Sequence, residues 1–433
     1  MRIAIVSYYA PPDPAVAAHR VLRISRTLIK AGHEVHWVTL DETLLLKRDE
    51  TLASLTPRSV VRHELGGPTL AARPAARNLP EKVLRTLAHK VPAWFTVPDK
   101  HVEWAFRLWR RLPKLAVEWN FDAVLLTCGP HGQLLAIPRL RRMSPKTKIF
   151  VDYRDLLSGN SWTENADARV RRRLLERERQ LLQSADALFV NSTEALACFR
   201  TSLGEMSLPV QVMRNAADYE LAKEIEVGRT KPDARETIRI GFFGTIFPRR
   251  RLAPVLQALS CLPEEILRNV TLDVYCDAQG SKDLLDEDLA EVSRSVAERV
   301  DRHEYVPYAE ALSNMRSMSA LLLINGNEPA DNIFVPGKLY DYVMARRPIL
   351  FIGNEGDAKR IVEDTSGSSR CFTHAQTAEI AQAISSLATV TDDLEPVAAY
   401  NCEHTFAPLL SMLGIGPKAK DAAGILPPLA EGA

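Results

Sequence analysis

Cysteine is scarce in this chain, and its spacing follows no motif. No two cysteines form a C-x-x-C pair, and the six stand at Cys128, Cys198, Cys261, Cys276, Cys371 and Cys402. Zinc ribbons rely on such pairs, and disulfide frameworks are typical of small secreted domains that are much richer in cysteine. We therefore predict neither a zinc site nor a disulfide framework, and we expect reduced thiols.

Long apolar runs are absent too. No stretch of about 18 apolar residues could span a bilayer. The apolar opening "RIAIVSYY" meets Pro11 and Pro12 before it could form the core of a signal peptide. The composition is otherwise ordinary, since 46% of the 433 residues are hydrophobic and 25% are charged. We expect a cytoplasmic globular protein of two or three domains.

Several common catalytic motifs are also missing. Neither of the two apolar strands that open the halves of the chain is followed by G-x-G-x-x-G. A Walker A lysine motif, H-E-x-x-H and G-x-S-x-G do not occur either. These absences argue against hydride transfer, ATP hydrolysis and serine hydrolysis.

The small net charge of +1 hides a division between the two halves. Residues 1–230 hold 35 Lys and Arg against 25 Asp and Glu, a formal charge of +10, whereas residues 231–433 hold 20 against 29, a formal charge of −9. A basic half can attract nucleic acid, an anionic membrane surface or a phosphate-bearing substrate. The alternative is that solvated helix faces are unequally charged.

The same opening pattern occurs twice. "MRIAIVSYYAPP" and, from Thr237, "TIRIGFFGTIFP" each contain a basic residue, a short apolar run, a proline and then a helical stretch. The first helix ends at Gly32 before the strand "EVHWVTL", and the second leads to "VTLDVYC". Strands that alternate with helices predict parallel sheets, so we predict an α/β protein with two tandem Rossmann-like domains that face each other across a cleft.

Further apolar strands and polar breaks set the predicted domain limits. We predict an N-terminal domain over 1–228 with a helical insertion around 43–115, a boundary near 227–235, a C-terminal domain over 236–395, a terminal helix over 396–416 that crosses back to the first domain, and a flexible tail over 417–433.

One predicted helix, "HVEWAFRLWRRLPKLAVEW", combines aromatic and basic residues. Its apolar residues fall near helical spacing at Trp104, Leu108, Trp109 and Leu112, and its basic residues are Arg107, Arg110, Arg111 and Lys114. Such a helix can rest on an anionic membrane surface. Alternatively, the apolar stripe faces the core.

The segment "NIFVPGKLYDYV" predicts an anion site. If a helix begins near Pro336 and Gly337, its first-turn amides favour an anion, and Lys338 adds a positive charge. Asp341, one turn later, is placed to accept hydrogen bonds from the two hydroxyls of a ribose. A nucleotide diphosphate explains both charges, whereas the alternative is an ordinary Lys–Asp surface pair.

A cationic cluster follows the strand that opens the second half. "GTIFPRRR" places Arg249, Arg250 and Arg251 in the strand-to-helix loop, where they should face the cleft. Arginine side chains bind diphosphate oxygens well. Because three consecutive arginines cannot all point the same way, we favour Arg250 and Arg251.

The chain resembles the retaining glycosyltransferases of family 4, which have the two-domain GT-B fold. The resemblance extends over most of the length, and its segments occur in the family's order: "MRIAIVSYYAPP", "FDAVLLTCGPHGQLLAIPRL", "KIFVDYRDLLSGNSW", "GFFGTIFPRRR" and "VPGKLYDYVMARRPIL". The last segment is the most specific and is similar to one found in enzymes that build bacterial surface polysaccharides.

The resemblance implies roles for individual residues. His131, Arg250, Arg251 and Lys338 would form the catalytic group, with the three cations on the diphosphate and His131 near the anomeric centre. The donor would contact Asp341 through its ribose, Tyr305 and Val306 through its base, and Asp331, Asn332, Ile333, Phe334 and Val335 through its sugar, with Gly244 and Thr245 nearby. The acceptor side would hold His19, Arg20, Arg154 and Asp155.

The chain also departs from the family pattern. Many members carry two glutamates eight positions apart, whereas here Ile333 stands eight positions before Asp341, so Asp331 is a candidate substitute. The family's glycine pair after the first strand is replaced by "PDPAVAAHR", and its "RDxW" motif reads "RDLL". These departures leave the sugar unidentified.

The predicted reaction is transfer of a sugar, with retention of configuration, from a UDP-, GDP- or other nucleotide diphosphate sugar to a hydroxyl acceptor. We expect no metal ion and no other cofactor, because the cleft segments hold no D-x-D-like pair. The acceptor could be lipid-linked, with the protein at the inner face of the cell membrane, or a soluble natural product. A nucleotide-sugar epimerase or hydrolase and a non-catalytic binder are the alternatives, and we expect no nucleic acid partner.

Overall fold

The protein is described by a computed structural model over residues 1–66, 101–160, 167–226, 237–387 and 393–415. Three predictions fall outside these ranges: the interdomain boundary near 227–235, the tail over 417–433, and the part of the predicted insertion between 67 and 100.

The first half folds around a parallel sheet. In the described ranges its strand order is β3-β2-β1-β4-β5-β6-β7, and each pairing is parallel. The strands are β1 (Arg2–Val6), β2 (Glu34–Leu40), β3 (Val61–Leu65), β4 (Ala123–Cys128), β5 (Lys148–Tyr153), β6 (Ala187–Val190) and β7 (Val210–Val212). The central strands are buried on both faces, which explains their continuous apolar sequences.

Helices cover both faces of this sheet. The described helices of this half are α1 (Val16–Lys30), α2 (Glu50–Leu55), α3 (Val102–Glu118), α4 (Ile137–Met143), α5 (Ala168–Leu182), α6 (Thr193–Leu203) and α7 (Tyr219–Glu226). Of these, α2 and α7 pack against the second domain. Helix α1 ends where the sequence predicts, because Gly32 has a φ of 83° and turns the chain into β2.

The second half repeats this plan. Its described strands are also parallel, in the order β10-β9-β8-β11-β12-β13. They are β8 (Ile238–Phe243), β9 (Val270–Tyr275), β10 (Val300–His303), β11 (Ala320–Ile324), β12 (Ile349–Ile352) and β13 (Cys371–Phe372). The helices are α8 (Ala253–Ser260), α9 (Glu264–Leu267), α10 (Gln279–Ala290), α11 (Arg294–Ala297), α12 (Tyr308–Arg316), α13 (Lys338–Ala345), α14 (Asp357–Ser366) and α15 (Thr377–Ser386).

These two sheets confirm the predicted fold class, with one local correction. Strand β3 lies inside the segment 43–115, for which we predicted helices, and it pairs in parallel with β2. Its sequence "VRHEL" is mostly polar because β3 is the edge strand of the sheet, and only Leu65 is buried. A polar edge strand lacks the apolar run that marks the central strands.

The chain beyond the second sheet packs against the first domain. Two short helices, α16 (Cys402–Thr405) and α17 (Ala407–Met412), lie within the range predicted as a single helix. Phe406 and Leu409 share a core cluster with Ile24 and Leu28 of α1. The two domains also share apolar contacts directly, since Leu22 and Leu52 belong to the same cluster as Leu339 and Tyr342.

No helix in the described parts of the chain is both long and apolar enough to cross a membrane.

Candidate functional site

An open pocket of about 180 Å³ lies between the two domains, at the carboxyl ends of β8, β9 and β10. Seven of the residues predicted from the sequence line the pocket: His19, Gly244, Thr245, Tyr305, Val306, Lys338 and Asp341. The structure thus brings predicted residues of both domains together, and their binding roles stay predictions.

Lys338 is the first residue of α13, and its Nζ lies 3.5 Å from the centroid of the Phe242 ring. Within the described ranges its ammonium group has no hydrogen bond and no ion pair. Desolvation and the neighbouring charge of Arg250 hold the pKa of Lys338 well below its usual range. An anion in the pocket would counter both effects, because it would supply negative charge and hydrogen-bond acceptors. This environment therefore favours an anionic ligand.

The start of α13 depends on a glycine. Gly337 is the N-cap residue, and no side chain caps the helix. The amides of Leu339 and Tyr340 donate to the carbonyls of Pro336 and Gly337, so the positive end of the helix dipole is only partly satisfied within the chain. A Cβ atom on Gly337 would lie 2.3 Å from Cγ1 of Val16, the first residue of α1. The glycine therefore allows the two domains to approach closely beside Lys338.

Arg251 does not face the pocket, which corrects our prediction for this residue. Its Nε donates to Oδ1 of Asp288 at 3.1 Å, its Nη1 donates to Oε2 of Glu287 at 2.9 Å, and its Nη2 donates to the carbonyl of Leu284 at 2.9 Å. All three acceptors belong to α10. Arg251 therefore anchors the loop after β8 to this helix.

Of the three consecutive arginines, Arg250 is the one whose charge reaches Lys338 in the pocket. Its charge contributes to the lowered pKa of Lys338, and its guanidinium carbon lies 5.4 Å from the centroid of the Phe334 ring. Burial lowers the pKa of Arg250, while the carboxylates of Asp331 and Asp155 oppose this effect. Because Asp155 belongs to the first domain, Arg250 faces the cleft.

Asp341 is already engaged by the first domain. Its Oδ1 accepts a hydrogen bond from Tyr308 at 3.0 Å and a short one from Arg23 on α1. Its Oδ2 lies 4.0 Å from Nδ1 of His19. Only Oδ2 is therefore available to a ribose hydroxyl. No sequence motif pointed to Arg23, which is 318 positions away from its partner.

His19 lines the pocket together with residues predicted to bind the donor, whereas we predicted it for the acceptor side. Its ring centroid lies 4.3 Å from that of Tyr308. Burial lowers the pKa of His19 to about 4, although Asp341 opposes this shift. Both ring nitrogens are buried and lack a hydrogen-bond partner in the described part of the chain. A neutral imidazole beside Oδ2 of Asp341 can share a ligand hydroxyl with it.

The segment predicted to bind the base is held by Asp49 of the first domain. Oδ2 of Asp49 accepts from the Tyr305 hydroxyl at 2.9 Å and from the Tyr308 amide at 2.7 Å. Oδ1 of the same carboxylate caps α2 by accepting from the amides of Thr51 and Leu52. The sequence offered one signal for this role, because an aspartate before a helical segment is a common N-cap.

Stacked aromatic rings form the wall next to Tyr305. The ring centroids of Phe243 and Tyr275 are 4.3 Å apart, and those of Tyr275 and His303 are 4.2 Å apart. Tyr275 lines the pocket. A planar base could extend this stack.

The carboxylate of Asp331 contacts the backbone of its own loop and the side chain of Arg249. Its side chain is fully buried, and its Oδ2 accepts from the amide of Glu328 at 3.2 Å. Oδ1 lies 3.4 Å from Nη1 of Arg249. The structure therefore gives Asp331 a structural role in the loop, which corrects the prediction that it replaces the missing carboxylate at the sugar.

The loop before α13 uses much of its backbone in protein contacts. The carbonyl of Ile333 accepts from Ser192 of the first domain at 2.9 Å, and the carbonyl of Phe334 accepts from Asn325 at 3.2 Å. Val335 is buried in the apolar core. Within the described ranges, Oδ1 of Asn332 is buried without a hydrogen-bond partner. Asn332 therefore keeps an acceptor oxygen that is not used within the described part of the protein.

On the opposite side of the cleft, two loops meet at the carboxyl ends of β4 and β5. Nε2 of His131 lies 2.8 Å from the carbonyl of Asp155, whose side chain is exposed. Arg154 donates to the carbonyls of Cys128, at 3.2 Å, and Gly129. Arg154 therefore holds the two loops together, and His131 and Asp155 are the predicted residues left at the surface of the cleft.

Arg20 is fully buried and has a structural role, contrary to our prediction of an acceptor contact. It forms a two-pronged ion pair with Asp152 at 2.8 and 2.6 Å. It also donates to the carbonyls of Met213 and Arg214 and to the side chain of Asn215. All five donors of the guanidinium are thus used within the protein.

Comparisons with known proteins agree with this architecture. Residues 17–221 match the family model described as Glycosyltransferase Family 4. No curated protein sequence is a significant match to the chain.

Solved structures share the fold over almost the whole chain. HepE from Anabaena, solved with UDP and glucose, is 15% identical with a TM-score of 0.58, and the match covers 96% of this chain and 99% of that one. Sucrose-phosphate synthase from Thermosynechococcus elongatus is 12% identical with a TM-score of 0.59, covering 96% and 98%. WaaG, a glycosyltransferase involved in lipopolysaccharide biosynthesis, is 13% identical with a TM-score of 0.52, covering 89% and 94%. These similarities show the two-domain GT-B fold.

Proposed function

We propose that this protein is a retaining glycosyltransferase that moves a sugar from a nucleotide diphosphate sugar to a hydroxyl acceptor. The observation that carries the proposal is the desolvated ammonium of Lys338, which lies at the start of α13 beside Arg250. A diphosphate would supply the negative charge and the hydrogen-bond acceptors that the Lys338 ammonium and the Arg250 guanidinium can bind. The fold shared with HepE, which was solved with UDP and glucose, supports the same class of donor.

The other residues of the pocket fit the remaining parts of such a donor. The base would lie against Tyr305 and Val306, next to the ring of Tyr275. The ribose would donate a hydroxyl hydrogen to Oδ2 of Asp341 and meet the ring of His19.

In the proposed reaction the bond between the anomeric carbon and the diphosphate oxygen breaks, and a bond from that carbon to the acceptor oxygen forms on the same face. The acceptor proton passes to the departing diphosphate oxygen. Lys338 and Arg250 stabilise the negative charge that grows on the diphosphate as the sugar becomes an oxocarbenium-like ion. His131 positions the reactants, and we propose that no metal ion takes part.

We propose an acceptor in polysaccharide or glycolipid biosynthesis, with a lipid-linked hydroxyl, at the cytoplasmic face of the membrane. The formal charge of +10 on residues 1–230 supports this assignment, because a lipid diphosphate and an anionic leaflet both attract a basic domain. The lipopolysaccharide role of WaaG, which shares the fold, points in the same direction.

Nucleotide binding provides the direct test. We expect UDP or GDP to raise the unfolding temperature, since a ligand at roughly 100 times its Kd stabilises by about 2.7 kcal/mol. The Lys338→Ala variant should lose most of this stabilisation, whereas Arg294→Ala, which removes a cation that is 91% exposed, should keep it. Hydrolysis or transfer of the matching nucleotide sugar should persist in EDTA. No response to any nucleotide would rule out the proposal.

A further inference from the structure

Helix α3 presents an unusual outer face. Its inner side is core, since Trp104, Leu108 and Leu112 are fully buried. Two large rings remain outside: Phe106 is 55% exposed and Trp109 is 38% exposed, and their centroids are 6.0 Å apart in a stacked arrangement. The predicted apolar stripe is therefore divided between the core and the surface.

Arginines accompany both exposed rings. The guanidinium carbon of Arg110 lies 5.7 Å from the Phe106 centroid, and that of Arg139, on the neighbouring helix α4, lies 4.3 Å from the Trp109 centroid. Helical spacing places further exposed side chains on the same face, namely Lys114 and the apolar Val117. We call Phe106, Trp109, Arg110, Lys114, Val117 and Arg139 the outer face of α3.

From this arrangement we infer that the outer face of α3 docks on an anionic lipid bilayer, with the rings of Phe106 and Trp109 at the level of the headgroups. Aromatic rings favour the membrane interface, and arginine side chains reach the phosphates beside them. Basic residues near an anionic leaflet are attracted to its lipid headgroups. The six residues of this face include three cations, and Glu103, at the same helical spacing, adds one carboxylate, so positive charge predominates.

The charge of the two domains orients this contact. Residues 1–230, which include α3 and α4, have a formal charge of +10, and residues 231–433 have a formal charge of −9. An anionic surface attracts the first domain and repels the second. The C-terminal domain, with the nucleotide pocket at its strand ends, would therefore stay on the side of the aqueous phase.

This inference rests on the membrane location in the proposed function and deepens it by naming the contact surface, and its test needs neither donor nor acceptor. Vesicles of phosphatidylcholine with about a third of phosphatidylglycerol should float the full chain at low salt, whereas phosphatidylcholine alone should not. The double variant Phe106→Ser with Trp109→Ser should bind about tenfold more weakly. Arg110→Glu with Lys114→Glu should remove the preference for anionic lipid. Leu46→Ser, which removes an apolar side chain that is 70% exposed outside this face, is the matched control and should float like the wild type.

Two results would overturn the inference. One is flotation of the double variant as efficient as that of the wild type, with equal unfolding temperatures to show that both are folded. The other is a wild-type dimer in light scattering that Phe106→Ser with Trp109→Ser converts to a monomer, because the face would then bind a second copy. Nucleotide binding by these variants separates a failure here from a failure of the proposed function.

Discussion

Arg23 and Asp341 form a buried ion pair that joins the two domains. Arg23 lies on the first helix of the N-terminal domain, and Asp341 lies on the helix that begins at Lys338. The arginine also donates to the carbonyl of Ala216 at 2.8 Å and to the hydroxyl of Tyr308 at 2.9 Å. The residue predicted to bind the ribose is thus also a main polar contact between the domains.

Breaking this pair should be costly. We expect Arg23→Met to destabilise the protein by about 3 kcal/mol or more, because it leaves a buried carboxylate without a cation. The double variant Arg23→Met with Asp341→Leu should be less destabilised than the sum of the singles. Thermal unfolding of the four proteins in a double-mutant cycle measures the coupling. Arg172→Ala, which breaks an exposed pair with Glu176, is the control and should change stability by less than about 1 kcal/mol.

Lys338 should oppose stability in the empty protein and support binding of the donor. We expect Lys338→Met to raise the unfolding temperature without nucleotide, because it removes a desolvated charge. The same variant should bind a nucleoside diphosphate about 100-fold more weakly, with a smaller loss for the nucleoside monophosphate. Calorimetric titration with both nucleotides measures the difference. Equal losses would indicate that Lys338 does not contact the terminal phosphate.

The close approach of Val16 to Gly337 can be tested by compensation. Gly337→Ala should weaken nucleotide binding and lower the unfolding temperature, because the added methyl group would meet Cγ1 of Val16. Val16→Ala should restore both properties in the double variant, since the next atom, Cβ of Val16, would be 3.7 Å away. If the double variant is no better than Gly337→Ala, the constraint lies in the backbone of the helix start.

Glu178 should make stability depend on pH. This fully buried side chain of α5 accepts from the Tyr153 hydroxyl at 2.9 Å, and burial raises its pKa from 4.5 to about 7. The folded state therefore holds a proton that the unfolded state releases between these pH values. The contribution of Glu178 to the free energy of unfolding is fully present below pH 4.5. It decreases by roughly 3 kcal/mol as the pH rises to about 7.

The comparison with Glu178→Gln isolates this effect. Glutamine stays neutral at each pH, so the difference in free energy of unfolding between wild type and variant should change between pH 4.5 and 7 and be level outside this window. Urea titrations at several pH values measure it. A constant difference would mean that Glu178 is ionised in the folded protein.

Arg20→Lys tests the structural role of the buried guanidinium. A lysine ammonium has three donors and cannot replace the five contacts of Arg20 with Asp152 and the chain at 213–215. We expect a loss of about 3 kcal/mol, measured by thermal unfolding. A change smaller than about 1 kcal/mol would contradict the assignment.

The sequence was sufficient for the fold because the central strands are buried on both faces and therefore apolar throughout. Strand β3 escaped prediction because its edge position permits the polar sequence "VRHEL". The terminal segment also differs, since two short helices occur where one was predicted.

The candidate site was partly predictable for a related reason. Gly244, Thr245, Tyr305 and Val306 follow strand ends, and parallel strands bring their carboxyl ends to one edge. Lys338 begins the helix that leads from β11 to β12. Sequence spacing could not predict whether each arginine faces the pocket. That orientation depends on hydrogen-bond partners that come close only in the folded chain. Hydrogen-bond partners within the protein engage the side chains of Arg20, Arg251 and Arg154. Arg23 and Asp49 were missed for the same reason.

The carboxylate of Asp49 has a consequence for how the cleft can open. Its contacts with the α2 amides lie within one domain, and its contacts with Tyr305 and Tyr308 cross to the other. Separation of the domains would expose only the second set, and water could then satisfy each released group while α2 stays capped. This part of the interface can therefore come apart and re-form without unfolding a helix, which would let the proposed glycosyltransferase release its nucleotide product.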